Sequence, residues 1–314
     1  MSEENLTSRG ILTLEPGTLW LKIKQCSERA LACGALHPIP TESEFVEEAG
    51  IRFLVRLLSN LARKEEAKKK QEEKRATSGK DFNPFLPYDK DLFVADISET
   101  HVCLLNKFNV VDYHLLLVTR EFEEQEMLLN LQDFAAMWAV LKEFDGLAFY
   151  NGGKLAGASQ RHKHLQLVPL PLVANGLRFP VEEALSKAVF LGAIANVPIF
   201  PFQHALSRLE LQEKSIMEAA KITLECYYNL LRAVGLLTGN VESNSKQSGA
   251  YNLLATREWM LIIPRAQESF ESIPINSLGF AGTLFIRNEQ QLQILKKYGP
   301  LTVLTNVAYK KIRS

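Results

Sequence analysis

The chain has 314 residues, with 36 Lys and Arg against 36 Asp and Glu and 46% hydrophobic residues. That length accommodates two domains or one large one, and the 23% charged fraction is that of an ordinary globular protein rather than a disordered or fibrous one. A net charge of zero argues against nucleic-acid binding through an overall positive field, so any anionic ligand must be held by a local constellation.

The longest apolar runs, such as 115–118 and 260–264, are far shorter than a membrane span of about 20 residues. The N-terminal stretch carries Glu3, Glu4 and Arg9 and no apolar signal core. Cys26, Cys33, Cys103 and Cys226 are scattered, without a Cys-x-x-Cys pair, which fits reduced, core-packing thiols in a cytoplasmic protein. Neither a nucleic acid nor a membrane is expected as a partner.

In chain order, residues 16–35 predict an amphipathic helix, with Leu19, Ile23, Cys26, Ala30 and Cys33 at helical spacing. HPIPTESEF reads as a loop because of its prolines, and GIRFLVRLLSN as a strand. The run 64–75 mixes both charge signs without apolar residues and reads as a solvated segment. HVCLLNKFNVV and YHLLLVT are then a hairpin candidate turning at Val111 and Asp112. LQDFAAMWAVLKEF is a helix, GLAFYN a strand running into the glycine-rich NGGKLAGASQ, and KHLQLVP a returning strand. Proline-rich residues 169–201 mark a transition between domains, placed at 1–185 and 186–314. Beyond it come a helix over 215–237, a hairpin of GAYNLLAT and EWMLIIP, and a helix from Glu289. Strands dominate, with helices to one side: an α+β layer, with only a faint hint that the two halves are related.

The chemistry concentrates in His162-Lys163-His164-Leu165-Gln166. Chance alone gives a His-x-His in such a chain with a probability of about 0.1, so context has to carry the argument. On a strand, His162, His164 and Gln166 line one face. The small-residue loop just before them lets backbone N–H groups approach phosphate oxygens. A neutral imidazole there can attack phosphorus and form a covalent nucleotidyl intermediate, with the glutamine donating to a non-bridging oxygen. Two other readings remain open: a zinc site, which lacks a nearby third ligand, and two structural histidines beside a flexible loop.

GASQRHKHLQLVPLP resembles the transferase branch of the histidine-triad superfamily, and more closely the ATP adenylyltransferase (diadenosine tetraphosphate phosphorylase) family. NPFLPYDKDLFV, LLNKFNVVDYHLLLVTREFEEQ, FYNGG, YNLLATREWMLIIPR and INSLGFAGTLF match further blocks of that family, in its order, over residues 35–285. The resemblance implies a histidine-triad-like antiparallel sheet with flanking helices, extended by a C-terminal α+β half. It implies ping-pong phosphorolysis: His164 attacks the α-phosphorus of diadenosine tetraphosphate and expels ATP, and inorganic phosphate then releases ADP. His162 and Gln166 complete the catalytic motif, Gln166 standing where the hydrolase branch has a third histidine. Asn151, Gly157, Ala158, Ser159 and Gln160 are expected to hold phosphates. Asn106 and Lys107 match a substrate-binding pair, and Lys64 a phosphate contact. Asn252, Thr256 and Arg265 are expected at the other nucleotide. His114 is expected to pack or orient near the site. No obligatory cofactor is implied, and Mg2+ is expected only as companion of the polyphosphate. The alternatives are a hexose-1-phosphate nucleotidyltransferase, a dinucleoside polyphosphate hydrolase and a non-catalytic nucleotide sensor.

Overall fold

The structure is a computed structural model that describes residues 12–58, 83–173, 177–241 and 245–311. The charged run at 64–75, including Lys64, lies outside the described residues. The first half runs α1 (Leu19–Ala32), β1 (Thr41–Glu48), β2 (Ile51–Leu58), β3 (Phe93–Asp96), β4 (His101–Leu105), β5 (Leu115–Thr119), α2 (Leu131–Leu141), β6 (Gly146–Gly152) and β7 (His164–Pro169). The second half opens with α3 (Glu182–Ser186), β8 (Val189–Leu191), β9 (Ile194–Asn196), β10 (Ala205–Arg208), α4 (Ile216–Ala233), β11 (Tyr251–Ala255) and β12 (Trp259–Pro264). It closes with β13 (Ser269–Phe270), β14 (Ile273–Pro274), α5 (Ser277–Phe280), β15 (Thr283–Ile286), α6 (Glu289–Tyr298) and α7 (Pro300–Val307).

One ten-stranded sheet organises the molecule, in the order β3-β4-β5-β7-β6-β11-β12-β10-β9-β8. Its ladders are antiparallel throughout. This is the α+β class expected. Counted from either edge the order is the same: first, second, third, fifth and fourth strand of each half, with β6 and β11 meeting at the centre. Each half also places one long helix, α2 or α4, between its third and fourth strands. The faint relation between the halves in the sequence is therefore explicit in the topology.

Both helices lie on the same face of the sheet. α2 starts at a capping box, in which Asn130 Oδ1 accepts from the Gln132 and Asp133 N–H groups and Asp133 accepts from the Asn130 N–H. Its Trp138 and Phe134, with Tyr227, Leu230 and Leu231 of α4, pack on Tyr150, Leu165 and Leu253 of the sheet. The one polar edge of the buried Trp138 is satisfied by Thr223 Oγ1 at 2.8 Å. Cutting Trp138 to Ala would cost about 3–5 kcal/mol, the price of a large buried void.

The opposite face is covered unevenly. Over the second half, Phe53 and Val55 of β2, Leu284 and Ile286 of β15 and Leu304 of α7 pack on Phe149, Leu254 and Leu261. That cluster also takes in Leu147 and Val168 of β6 and β7, while toward β4 and β5 the described residues form a smaller one, from Phe85, Val102, Leu104, Leu116 and Val118, flanked by Tyr88 and Phe93.

Three expectations change. The loop after Pro40 ends at once, because TESEFVEE pairs along its whole length with β2 around Ala49 and Gly50, both at positive φ. HVCLLNKFNVV does not stay a strand to its end. Beyond a last cross-strand bond from Asn106 N–H to His114 O, residues 107–113 leave the ladder and are fastened instead by bonds from His37 N–H to Lys107 O (2.8 Å) and Ile39 N–H to Asn109 O (2.9 Å). The returning strand begins at His164, so His162 precedes it and is held by an isolated bridge to Glu124.

Candidate active site

Paired residues of an antiparallel ladder share a face, so side chains can be followed across the sheet in rows. One row runs Leu104, Leu116, Gln166, Phe149, Leu254, Leu261, Leu206, and only Gln166 in it is polar. The next carries Val102, Val118 and His164 on one side, and Asn151, Asn252 and Ile263 on the other. His164, Gln166 and Asn151 are thus brought together where, among the described residues, the smaller cluster covers the sheet.

His164 is 5% exposed, and its Nδ1 lies 2.7 Å from the carbonyl oxygen of His162. A carbonyl only accepts, so Nδ1 carries the proton and Nε2 keeps its lone pair. Burial pushes the pKa of this ring down to about 4, so the imidazole is neutral at pH 7. Among the described residues Nε2 has no hydrogen-bond partner. The Phe85 ring stands 5.4 Å away, centroid to centroid.

His162 is committed elsewhere, which corrects its place in the expected row. Its Nε2 donates among Thr119 O (2.8 Å), Glu121 O (3.1 Å) and Thr119 Oγ1 (2.9 Å), and its Nδ1 accepts from the Asn83 amide at 2.9 Å. Its contribution to the neighbouring ring is its backbone carbonyl. Lys163 points to the helix face and is 1% exposed, with Nζ 2.6 Å from Asp133 and 3.0 Å from Glu123. Burial lowers the pKa of this amine, but those carboxylates outweigh it and hold it above the ordinary lysine value. Asp133 is correspondingly held down to about 2: burial opposes, while Lys163 and His101 prevail.

Gln166 is oriented by a chain the sequence did not reveal as such. Asn106 accepts the Phe108 N–H on Oδ1, so its Nδ2 donates to His114 Nδ1 at 3.1 Å; His114 Nε2–H then donates to Gln166 Oε1 at 3.0 Å. The Gln166 amide is left with its N–H groups as donors on the site face. His114 is therefore an orienting residue, and Asn106 is engaged with His114 rather than standing free for a ligand. Among the described residues Lys107 makes one side-chain contact, an exposed ion pair with Asp89 at 3.4 Å.

Asn151 is fixed equally firmly. Its Oδ1 accepts from Ser277 N–H (3.0 Å), Ser277 Oγ (2.8 Å) and Asn252 Nδ2 (3.0 Å), leaving its own N–H groups as donors. The glycine loop narrows the expected phosphate cradle. The Gly157 and Ala158 N–H groups bond to Lys154 O and Gly153 O within the loop, so they are spent. Ser159 is exposed beyond them and Gln160 half-buried. Gly157 needs to be glycine, since its φ of +90° would strain any side chain and a Cβ would meet Ile275 O at 2.9 Å.

Three residues expected at a second nucleotide are placed otherwise. Arg265 is 1% exposed and gives its five N–H donors to Val307 O, Asn252 Oδ1, Ile275 O, Gln267 O and Glu268 O. Asn252, wholly buried, is spent between that guanidinium and Asn151, Ala156 O and Ser277. Thr256 sits in the β11–β12 turn, accepting the Glu258 N–H, away from the end of β11 that meets Asn151. Arg265 and Asn252 build the support of the site instead of its lining, and Thr256 lies apart from it. Gln125 and Ser277, which touch the His164 backbone and the Asn151 side chain, fall inside blocks quoted for the family resemblance, yet nothing in the sequence names their roles, because their partners lie far along the chain. No group of three or more His, Cys, Asp or Glu among the described residues is arranged to hold a metal ion.

The chain matches two family models: the Ap4A phosphorylase N-terminal domain over residues 9–187 and the ATP adenylyltransferase C-terminal domain over 198–310. It is 29% identical over 268 residues to diadenosine tetraphosphate phosphorylase 2 of Saccharomyces cerevisiae, covering 78% of this chain and 79% of that one. Protein APA1 of the same yeast is 28% identical over 207 residues, 62% of this chain and 63% of that one. The crystal structure of yeast Ap4A phosphorylase Apa2 shares the fold, with a TM-score of 0.76 at 22% identity over 96% of this chain and 100% of that chain. With family models covering nearly its whole length, the chain belongs to the Ap4A phosphorylase family, joining that family's N-terminal domain to an ATP adenylyltransferase C-terminal domain.

Proposed function

We propose that this protein catalyses the reversible phosphorolysis of diadenosine tetraphosphate (Ap4A) to ATP and ADP through an AMP covalently bound to His164. One observation carries the reading: a buried, neutral imidazole whose Nδ1 proton is locked on a carbonyl, leaving Nε2 as a nucleophile. Nε2 attacks the α-phosphorus, the bond to the bridging oxygen breaks, and ATP leaves with the electron pair. An oxygen of inorganic phosphate then displaces the imidazole from the phosphoramidate and forms ADP. Gln166, aimed by His114, donates to a non-bridging oxygen as charge develops there. The Asn151 amide and the backbone at Ser159 and Gln160 face the same phosphates, with Lys107 and Lys64 as further candidates. The apolar floor of Val102, Leu104, Leu116 and Val118 under Phe85 suits an adenine base. Magnesium enters as part of the polyphosphate substrate, neutralising its charge. The family membership and the two yeast relatives support this reading. A cytoplasmic location rests on the cysteines, all free among the described residues, and no helix there is long and apolar enough to cross a membrane.

The test is to mix the protein with Ap4A in the absence of phosphate and locate the added AMP by mass spectrometry. A modified peptide containing His164, with ADP released only when phosphate is added, is the expected result. Free AMP appearing without phosphate makes the protein a hydrolase, and a sugar phosphate that outcompetes phosphate as acceptor makes it a hexose-1-phosphate nucleotidyltransferase.

A further inference from the structure

The ladder between β6 and β7 stops at Phe149 and Gln166. Two residues further on, His164 and Asn151 would be the next pair on the same face, but their backbones do not bond to each other. The side chain of Gln125 lies between them. Its Oε1 accepts the His164 N–H at 2.9 Å, and its Nε2 donates to His164 O at 3.3 Å and Asn151 O at 3.0 Å. A carboxamide has the donors and acceptor of a peptide group, so Gln125 acts as an inserted peptide unit. It satisfies backbone groups that would otherwise be buried without partners.

Gln125 is itself immobilised. It is 2% exposed, its N–H donates to Arg161 O at 2.6 Å, and its carbonyl accepts the Tyr150 hydroxyl. It thus ties three parts of the site together: the residue bearing the free Nε2, the strand end bearing Asn151, and the segment entering the His-x-His motif. The base floor and the bonds that aim the Asn151 side chain at the ligand are made by other residues.

We propose that Gln125 is a positioning residue for the adenylyl transfer, holding the His164 backbone one amide width from Asn151 so that Nε2 stands in line with the phosphorus. The inference rests on the function proposed above. Because a misplacement of about 1 Å at a reacting pair costs on the order of a hundredfold in rate, loss of this wedge acts on kcat and leaves nucleotide binding nearly intact.

The experiment compares the wild type with Gln125→Met, which removes all the wedge's bonds at similar volume, and Gln125→Glu, which keeps the acceptor and loses the donors. Rapid-quench kinetics follow AMP transfer onto the protein from Ap4A without phosphate, and equilibrium binding of a methylene-bridged Ap4A analogue is measured in parallel. Q125M is expected to acquire AMP about ten- to a hundredfold more slowly, with analogue binding changed less than about threefold, and Q125E, which sets an acceptor against two carbonyls, to be slowed at least as much. Should Q125M fail to fold by circular dichroism, Q125E carries the same comparison. Transfer at the wild-type rate, or binding that weakens in step with the rate, overturns the role of Gln125 while His164 still acquires AMP. A wild type that never acquires AMP overturns the proposed function, and this inference with it.

Discussion

The two halves of the sheet share one strand order and diverge in what their fifth strands carry. β7 opens on His164 and has Gln166 at its third position, while β12 has Trp259 and Leu261 in those places. Among the described residues, the cover beside His164 is a small cluster; around β12 it is a second sheet and helices, and Trp259 packs on Phe179 at 5.5 Å between centroids. One scaffold therefore serves two ends: one half turns polar groups to this face, and the other fills the corresponding places with apolar side chains. The filled half still serves the open one, since Asn252, Arg265 and Ser277 hold Asn151 in place from across the β6–β11 seam. Buried polar groups that are fully satisfied make a rigid support, which a reaction needing sub-ångström placement requires.

The sharpest way to break this comparison is His164→Ala. Phosphorolysis is expected to fall at least about a thousandfold and the AMP adduct to vanish, with the thermal midpoint nearly unchanged. Retained turnover in that variant would sink the assignment of chemistry to the first half.

Gln166→Leu and His114→Phe test whether the donor and its orienting partner act together. Each is expected to lower kcat by one to three decades, about the effect of losing one transition-state donor. The double variant should be little worse than the worse single one, because the two residues form one chain. Additive losses would separate them.

Arg265→Met asks whether the second half binds or supports. The structure predicts a stability loss of about 3 kcal/mol or more, read by denaturant titration, as several buried carbonyls lose their donor. A raised KM with stability intact would restore Arg265 as a nucleotide contact.

One buried histidine in each half gives the next prediction. His164 and His204 are both pushed down to about 4 by burial, below the unfolded value near 6.5. The unfolded chain therefore binds more protons between those values. Their stabilising contribution is complete above about pH 6.5 and is lost as pH falls toward 4, with a slope of about 1.4 kcal/mol per pH unit for each proton. H164A should remove one proton from that slope, and a slope unchanged in the variant would count against a buried neutral ring.

The smallest effect is expected from Trp259→Ala, which occupies the place of His164 in the filled half. It should lower stability by about 1–2 kcal/mol through lost packing and leave kcat within about twofold.

Much of this was legible locally. The capped helix over Leu131–Leu141 and the period-two facing of His164 and Gln166 follow from short-range patterning, and both are found in the structure. His162 departed from its row because Thr119, Glu121 and Asn83 offer its ring partners away from the strand. Arg265 reads as a ligand-seeking cation in isolation, yet carbonyls from three separate segments consume it. Asn106, taken as a substrate contact, is engaged through His114 in aiming Gln166. Gln125 and Ser277 stand within family-like blocks without an assigned role, since nothing near them in sequence names their partners.

Sequence by itself determined the strand and helix alternation, the family and the identity of the motif, because these depend on periodicity and on residues adjacent along the chain. Only the tertiary structure decided which polar groups remain available. In the site, a hydrogen bond is spent or free according to partners up to 127 residues away, and burial, which leaves the His164 imidazole neutral, belongs to the packed whole.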